Sequence, residues 1–541
     1  MLTYSPTAKP HRKDRPWLLL ITAVLWISGA SFFHAPWEPY EPYVVAVVKS
    51  MVTTNSWLVP YIASNYPYLD LQPFYFWLYS LIIKIFNFSD IANAIRVINS
   101  LIILTVIYTM GRIGSRLPAF KNGRSVVMIL ISSVGFVNNA YQLSPNIVVL
   151  LGFALYFFAL QKSEHMPGIS AGILAVGLIL ISLNFTAAFI LMTLVLLFVV
   201  PVLNSQWRSL NYLITMSAGI ALFALIFSSY AWQLNRVNHS FFVEWEHKYT
   251  SLIDFHIVNL AANLWFYLTT LLWYTVPSWI LVGWTIYKRR MLLVQDKILQ
   301  ACIIMIILIL LLALSSGRCE EATIFPIIIP MVLLASVEID TIRISIVSLL
   351  NWFSLFVFGA GGVGIATLYI ALNFGHPLDL FKQAQFYAPS YVFTFNFWSI
   401  VLAFIISGIW VFMITRKHIR GREMVSNWAS GSTFVLVLFV SLCLPWFNSL
   451  LSFKDLVAGS TSFLNHDSCI ATDGYNNLQS ALWYYYADVR LVPITDINNS
   501  TCRQALLSVA DKPFSDAHWH VLWSAKRPVD AKRYVLLERI D

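Results

Sequence analysis

The sequence predicts an α-helical protein that crosses a membrane many times and ends in a small α/β domain outside the bilayer. Three observations carry that reading. Of 541 residues, 58% are apolar and only 11% are charged, against about a quarter charged in a soluble domain. The apolar residues gather in about thirteen runs, most of them about 17–25 residues long, enough to cross a bilayer. The basic residues fall in short clusters on alternate sides of those runs, as orientation in a membrane requires. A soluble core of this length would need far more polar surface than the chain owns. Disordered chains, coiled coils and ordinary cytosolic enzymes are excluded on the same ground.

The first segment is basic (Lys9, Arg12, Lys13, Arg15) and then apolar over 16–33. It is longer than a signal h-region and no small-x-small cleavage site follows, so it reads as an uncleaved span. The remaining runs lie near 91–111, 124–140, 145–161, 167–184, 186–203, 210–231, 263–287, 296–314, 323–337, 343–372, 393–415 and 429–451. With the N-terminus in the cytoplasm, the inside loops carry Arg112, Arg116, Lys121 and Arg124, then Lys162, then Arg208, then Lys288, Arg289 and Arg290, then Arg343, then Arg416, Lys417, Arg420 and Arg422. The outside loops are poor in Lys and Arg. An odd number of spans sends the C-terminus outside. This divides the chain into a spanning domain at 1–452, with a large outside loop at 34–90, and an outside domain at 453–541. The net charge of +9 is then topology, and nucleic acid is not an expected partner. The short loops suit a bacterial inner membrane with the tail in the periplasm.

The tail alternates strand-like and helix-like stretches at 468–472, 478–486, 490–494, 501–509, 518–524 and 534–540, the pattern of an α/β domain. Cys469 and Cys502 lie within it, and in an oxidising compartment a bridge between them would staple a domain too small for a deep core. The other cysteines, Cys302, Cys319 and Cys443, sit in or beside apolar runs, and no CxxC pair suggests zinc or redox chemistry. Gly359, Gly361 and Gly364 spell GxGxxG, but inside an apolar span. Close helix packing is the expected role, since a dinucleotide site needs a strand before the glycines.

The outside loop holds the richest chemistry. It reads Trp37-Glu-Pro-Tyr-Glu41, then Trp57-Leu-Val-Pro60, then Tyr68-Leu-Asp70, with Pro73 and Trp77 beyond. Glu38, Glu41 and Asp70 are three of the few acids outside the tail. Residues 42–54 and 73–86 are expected to form helices lying on the membrane surface.

Those motifs resemble the first periplasmic loop of polyprenyl-phosphate-dependent glycosyltransferases of GT-C type. Among these, the pattern is similar to that of the 4-amino-4-deoxy-L-arabinose transferases that modify lipid A and of the protein O-mannosyltransferases. Their pattern is roughly W-x-P-D-E-x-R-Y, then G-D-W-x-V-P, then Y-F-E-K-P-P-x-x-Y-W. Trp265-Phe-Tyr-Leu268, Pro277-Ser-Trp279, and Ser316-Gly-Arg318 with Phe325-Pro326 and Pro330 extend the likeness. The departures are Tyr40 at the first acid of the pattern, Tyr43 at the Arg, Leu71 at the Lys and Ser144 at an acid before the fourth span.

The resemblance implies sugar transfer from a polyprenyl phosphate to an acceptor at the outer face: lipid A, a protein or a glycan. Such chemistry needs a carboxylate to take or orient the acceptor proton. It also needs a cation, Arg, Lys or a divalent metal, at the leaving phosphate. Glu41 is the first candidate base, with Glu38 and Asp70 beside it. Arg318, Lys49, Lys84, Arg96 and Arg236 are the candidate phosphate partners. His239, His247 and His256 share one outside loop at spacings that match no helical metal pair. Two other classes compete: a transporter or lipid flippase, which would show internal repeats and midplane charges, and a non-catalytic relative that binds the lipid carrier.

Overall fold

The computed structural model describes residues 23–27, 34–63, 66–117, 122–183, 187–250, 260–317, 319–389, 391–393, 395–415, 420–465, 469–473, 477–494, 501–510 and 518–540. Between the helical residues 23–27 and the main bundle lie α1 (Glu41–Thr54) and α2 (Pro73–Phe86). Each has proline in its first turn and ends on an asparagine with positive φ, Asn55 at 57° and Asn87 at 48°, the usual start and stop signals of a helix. Between them Tyr61–Ile62 (β1) pairs with Tyr66–Pro67 (β2) in a short antiparallel ribbon.

The bundle then runs through α3 (Ile91–Gly114), α4 (Gly123–Ser132), α5 (Val134–Ala140), α6 (Pro145–Lys162), α7 (Pro167–Ile181) and α8 (Ala187–Leu203). It continues with α9 (Leu210–Val237), α10 (His239–Thr250), α11 (Leu260–Tyr274), α12 (Ser278–Gln295) and α13 (Lys297–Ser315). It closes with α14 (Ile328–Ala335), α15 (Ile344–Phe374), α16 (Leu378–Tyr387), α17 (Phe397–Thr415) and α18 (Arg420–Leu451). Side-chain caps mark the starts: Asp90 accepts from Asn93 N, Ser144 from Asn146 N, and Asp296 from the N–H groups of Ile298 and Leu299, each satisfying a donor the helix cannot.

The chain is a polytopic helical membrane protein. Among the described residues, seven helices are long and apolar enough to cross a bilayer alone, and α11 with α12 makes an eighth candidate bent by 96°. The sequence reading of about thirteen spans counted further runs that fold as shorter helices. The run at 124–140 breaks at Ser133 into α4 and α5, and α7 and α8 have 15 and 17 residues. At 1.5 Å per residue the latter two reach about 23–26 Å, short of a hydrocarbon core of about 30 Å. Most of the first run, 16–33, lies outside the described residues. Phe356, Trp398 and Phe404 turn outward from α15 and α17, an apolar surface suited to lipid. The glycine-rich stretch of α15 packs as expected: a side chain on Gly362 would meet the Phe434 ring of α18 at 2.7 Å.

After α18 come α19 (Lys454–Thr461), β3 (Ile470–Asp473), α20 (Asn477–Ala487), β4 (Leu491–Ile494), β5 (Gln504–Ala510), β6 (Trp519–Ala525) and β7 (Lys532–Arg539). The sheet order is β4-β3-β5-β7-β6. β4, β3 and β5 are parallel, and β7 and β6 run antiparallel. Alternation along β5 builds two cores: Leu506 joins Trp483, Leu482 and Val457 under the helices, while Ala505 and Leu507 join Trp519 and Leu537 on the other face. The expected bridge between Cys469 and Cys502 is present, with a Cα separation of 5.1 Å. It ties together the N-terminal ends of β3 and β5.

This domain docks on the end of the bundle that carries α1. Lys49 of α1 donates to the carbonyls of Tyr484 and Tyr485 and pairs with Asp488 at 3.0 Å. Arg527 lies over the Phe453 ring and bonds to Leu451 O, Asp530 and, at 3.6 Å, Glu38. The basic loops gather at the other end, where Arg422 pairs with Asp340 and donates to Asn122, and Arg289 pairs with Glu338.

Candidate active site

α1, expected to lie on the membrane surface, is covered by protein. Val44, Val45, Ala46, Val47 and Val48 are fully buried, because α20 of the C-terminal domain covers one side of the helix and α2 and α3 hold the other. Its first turn therefore brings Glu41 into protein interior rather than to a water interface.

Glu41 is 3% exposed. Its Oε2 accepts from Trp37 N at 3.1 Å and from Arg96 Nη2 at 3.2 Å, and lies 3.7 Å from His34 Nδ1. The Leu143 backbone N–H also favours the charged carboxyl. Arg96 comes from the second turn of α3, so the ion pair clamps α1 to the bundle. Burial pushes the Glu41 carboxyl up to about 7, with Arg96 and the hydrogen bonds opposing the rise. The group thus stands near its switching point at neutral pH. His34 is driven the other way, to about 3, by burial and by the Arg96 charge, so its ring is neutral. The Trp37 ring stacks on His34 at 3.9 Å, and its indole N–H donates to Asn448 of α18.

The other predicted residues do not join this cluster. Asp70 is 59% exposed and pairs with Lys248 of α10 at 2.6 Å. Glu38 faces the C-terminal domain through Arg527, and burial raises its pKa. Lys49 is committed to α20. Lys84 bonds to Asn55 and lies 5.5 Å from the Trp57 ring. Arg236 stacks on Trp232 at 3.9 Å. Of the proposed phosphate partners only Arg96 meets Glu41, and Arg318 lies outside the described residues. His239 and His247 sit at the two ends of helix α10 rather than on a loop, and His256 lies outside the described residues. Among the described residues, no three His, Cys, Asp or Glu side chains gather as a metal site.

The positions that depart from the resembled pattern have visible structural work. Ser144 caps α6, Leu71 is buried at 5% exposure, and Tyr43 stacks on Tyr68 at 5.4 Å. Tyr40 stands beside Glu320, whose charge, after burial, raises the phenol pKa. Sequence reasoning missed His34 and Asn448, and had Trp37 only as a motif residue with no partner. His34 stands just before the motif, and Asn448 carries no signal because it is about 400 residues away.

Searches against protein-family models and against curated proteins find no match. Among solved structures, the chain is similar to ArnT from Cupriavidus metallidurans bound to undecaprenyl phosphate. The TM-score is 0.68 at 12% identity, over 97% of this chain and 98% of that one. It is likewise similar to the apo state of that protein, with a TM-score of 0.66 at 12% identity and the same coverage. The resemblance read from the outside loop therefore holds for the fold from end to end: this chain has the architecture of ArnT, a 4-amino-4-deoxy-L-arabinose lipid A transferase of GT-C type.

Proposed function

We propose that the protein is a membrane glycosyltransferase that moves a sugar from a polyprenyl phosphate to an acceptor at the face of the membrane that carries the C-terminal domain. The observation that carries the reading is the shared fold over 97% of the chain with a protein bound to undecaprenyl phosphate, joined to a buried carboxyl held near pH 7 where the two domains meet. A carboxyl at its switching point takes and returns a proton most readily at neutral pH. In this reading Glu41 receives the acceptor proton as the anomeric C–O bond to phosphate breaks. Arg96, beside it, supplies the positive charge that the leaving phosphate needs. Asp70 and Glu38, which lie outside that cluster, are kept for the acceptor, and we read Arg318, which follows α13 in the sequence, as the partner of the donor phosphate. The face is assigned as periplasmic, because the basic loops gather at the opposite end of the bundle.

A second reading is favoured by a specific observation: Glu41 has its bonds met within the protein, and Lys49 and Asp70 are partnered by other parts of the chain. That arrangement suits a non-catalytic relative that holds the lipid carrier. Incubating the purified protein with undecaprenyl-phosphate sugars and measuring free undecaprenyl phosphate separates the two. Release above the buffer rate supports the transferase; carrier binding without release supports the second reading.

A further inference from the structure

A cavity of about 370 Å³ opens between α1 and the C-terminal domain, away from Glu41. Its walls include Tyr43 of α1, Asp473 at the end of β3, Asn477 and Gln479 in the first turn of α20, Ser508 of β5 and Lys532 at the start of β7. The topology explains the convergence. The chain leaves β3 through α20 to pair on one side as β4, then returns to pair on the other side as β5. In an open α/β sheet such a switch leaves a crevice at the carboxyl ends of the strands, where ligands bind. The Cys469–Cys502 bridge holds the opposite ends of the same two strands, so the mouth of the crevice is fixed from below.

The chemistry of the walls is specific. Asp473, Asn477, Ser508 and Lys532 make no side-chain hydrogen bond or ion pair among the described residues, although they converge on one cavity. Gln479 is 1% exposed and its amide is locked by donation to Leu506 O at 2.8 Å. Asp473 and Lys532 balance each other in charge, which disfavours a phosphate or another anion. A carboxylate, an amide, an ammonium and a hydroxyl together match a ring of vicinal hydroxyls that both donate and accept. Tyr43 adds an aromatic wall, the surface a sugar's C–H face packs against. This is the position where the resembled loop pattern carries Arg.

We propose that this cavity binds a neutral hexopyranose unit of a glycan. Its place in the reaction, as a subsite for the acceptor, rests on the glycosyltransferase reading; the binding itself does not. The full chain in lipid nanodiscs, free of sugar-headed detergent, is titrated with methyl α-glucopyranoside, methyl α-mannopyranoside and methyl α-galactopyranoside by saturation-transfer NMR. Concentrations run to roughly 50 mM, the range of weak single-site affinity. At least one of the three saturates, and its Kd rises about tenfold or more in Asp473→Ala and in Lys532→Ala, both exposed positions that the fold does not depend on. Asp473→Asn, which keeps the shape, weakens binding less than Asp473→Ala. Glu41→Gln leaves the affinity unchanged. Saturation by none of the three sugars, or saturation indifferent to both Ala substitutions, overturns the proposal even if sugar transfer is observed. Binding with these properties in a protein that transfers no sugar upholds the site and fails only the transferase reading.

Discussion

Two acids from the same stretch of sequence, 34–90, end in opposite environments. Glu41 is sealed between α1, α3 and α18, with Arg96 and His34 against it. Asp70 stands on the surface with Lys248 as its partner. Both are carboxylates beside a cation at about 3 Å, and only burial separates them. In the interior the ion pair must offset desolvation, so losing one partner strands a charge. At the surface, water and salt do most of what the partner does.

The largest consequence is for stability. Glu41→Ala leaves Arg96 buried and unpaired and should cost about 3–5 kcal/mol, read as a fall in melting temperature of the full protein. Asp70→Ala should cost about 1 kcal/mol or less. Equal losses for the two would erase the distinction between them.

A similar contrast applies to the staple of the C-terminal domain. Replacing Cys469 and Cys502 by Ser frees a loop of 33 residues and should cost that domain about 4 kcal/mol on the chain-entropy account. Replacing the buried, unpaired Cys302 by Ala should not change sensitivity to reductant. Identical protease resistance of the domain with and without reductant would contradict the first expectation.

The pH dependence sharpens the comparison further. The folded pKa of Glu41 is raised to about 7 from an unfolded value near 4.3. Its contribution is therefore fully present below the unfolded pKa and is lost as pH rises through about 7. His34, lowered to about 3, acts in the opposite sense: its contribution is present above about 6.5 and is lost as pH falls towards 3. Melting curves at pH 5 and pH 8 should show Glu41→Gln gaining on the wild-type protein at the higher pH. The smallest effect belongs to Lys248→Ala, about 0.5 kcal/mol and reduced further by salt.

How much of this was legible in the sequence follows from the same physics. Apolar run length and turn chemistry are local, so α1, α2, the long apolar helices of the bundle and the strands of the tail could be read, while the more polar α10 and α16 could not. The Cys469–Cys502 pair was readable because few cysteines exist to choose from. Burial is not local. Nothing in Trp37-Glu-Pro-Tyr-Glu41 says that α20, more than 400 positions later, will cover the helix and convert an expected interfacial acid into a buried one. Hydropathy likewise does not register the break at Ser133 or the bend between α11 and α12. Lys49 illustrates the limit at a single residue: its position suited a phosphate, and its partners turned out to be two carbonyls and Asp488 of the tail.

The central claim, that Glu41 handles the proton in a polyprenyl-phosphate glycosyltransferase, is tested most directly by turnover against pH in wild type and Glu41→Gln. The account predicts a wild-type rate that rises through an apparent pKa of about 7. It predicts that this limb is missing in Glu41→Gln, with turnover down on the order of 100-fold at equal expression. Full turnover with an unchanged pH profile in Glu41→Gln would contradict it.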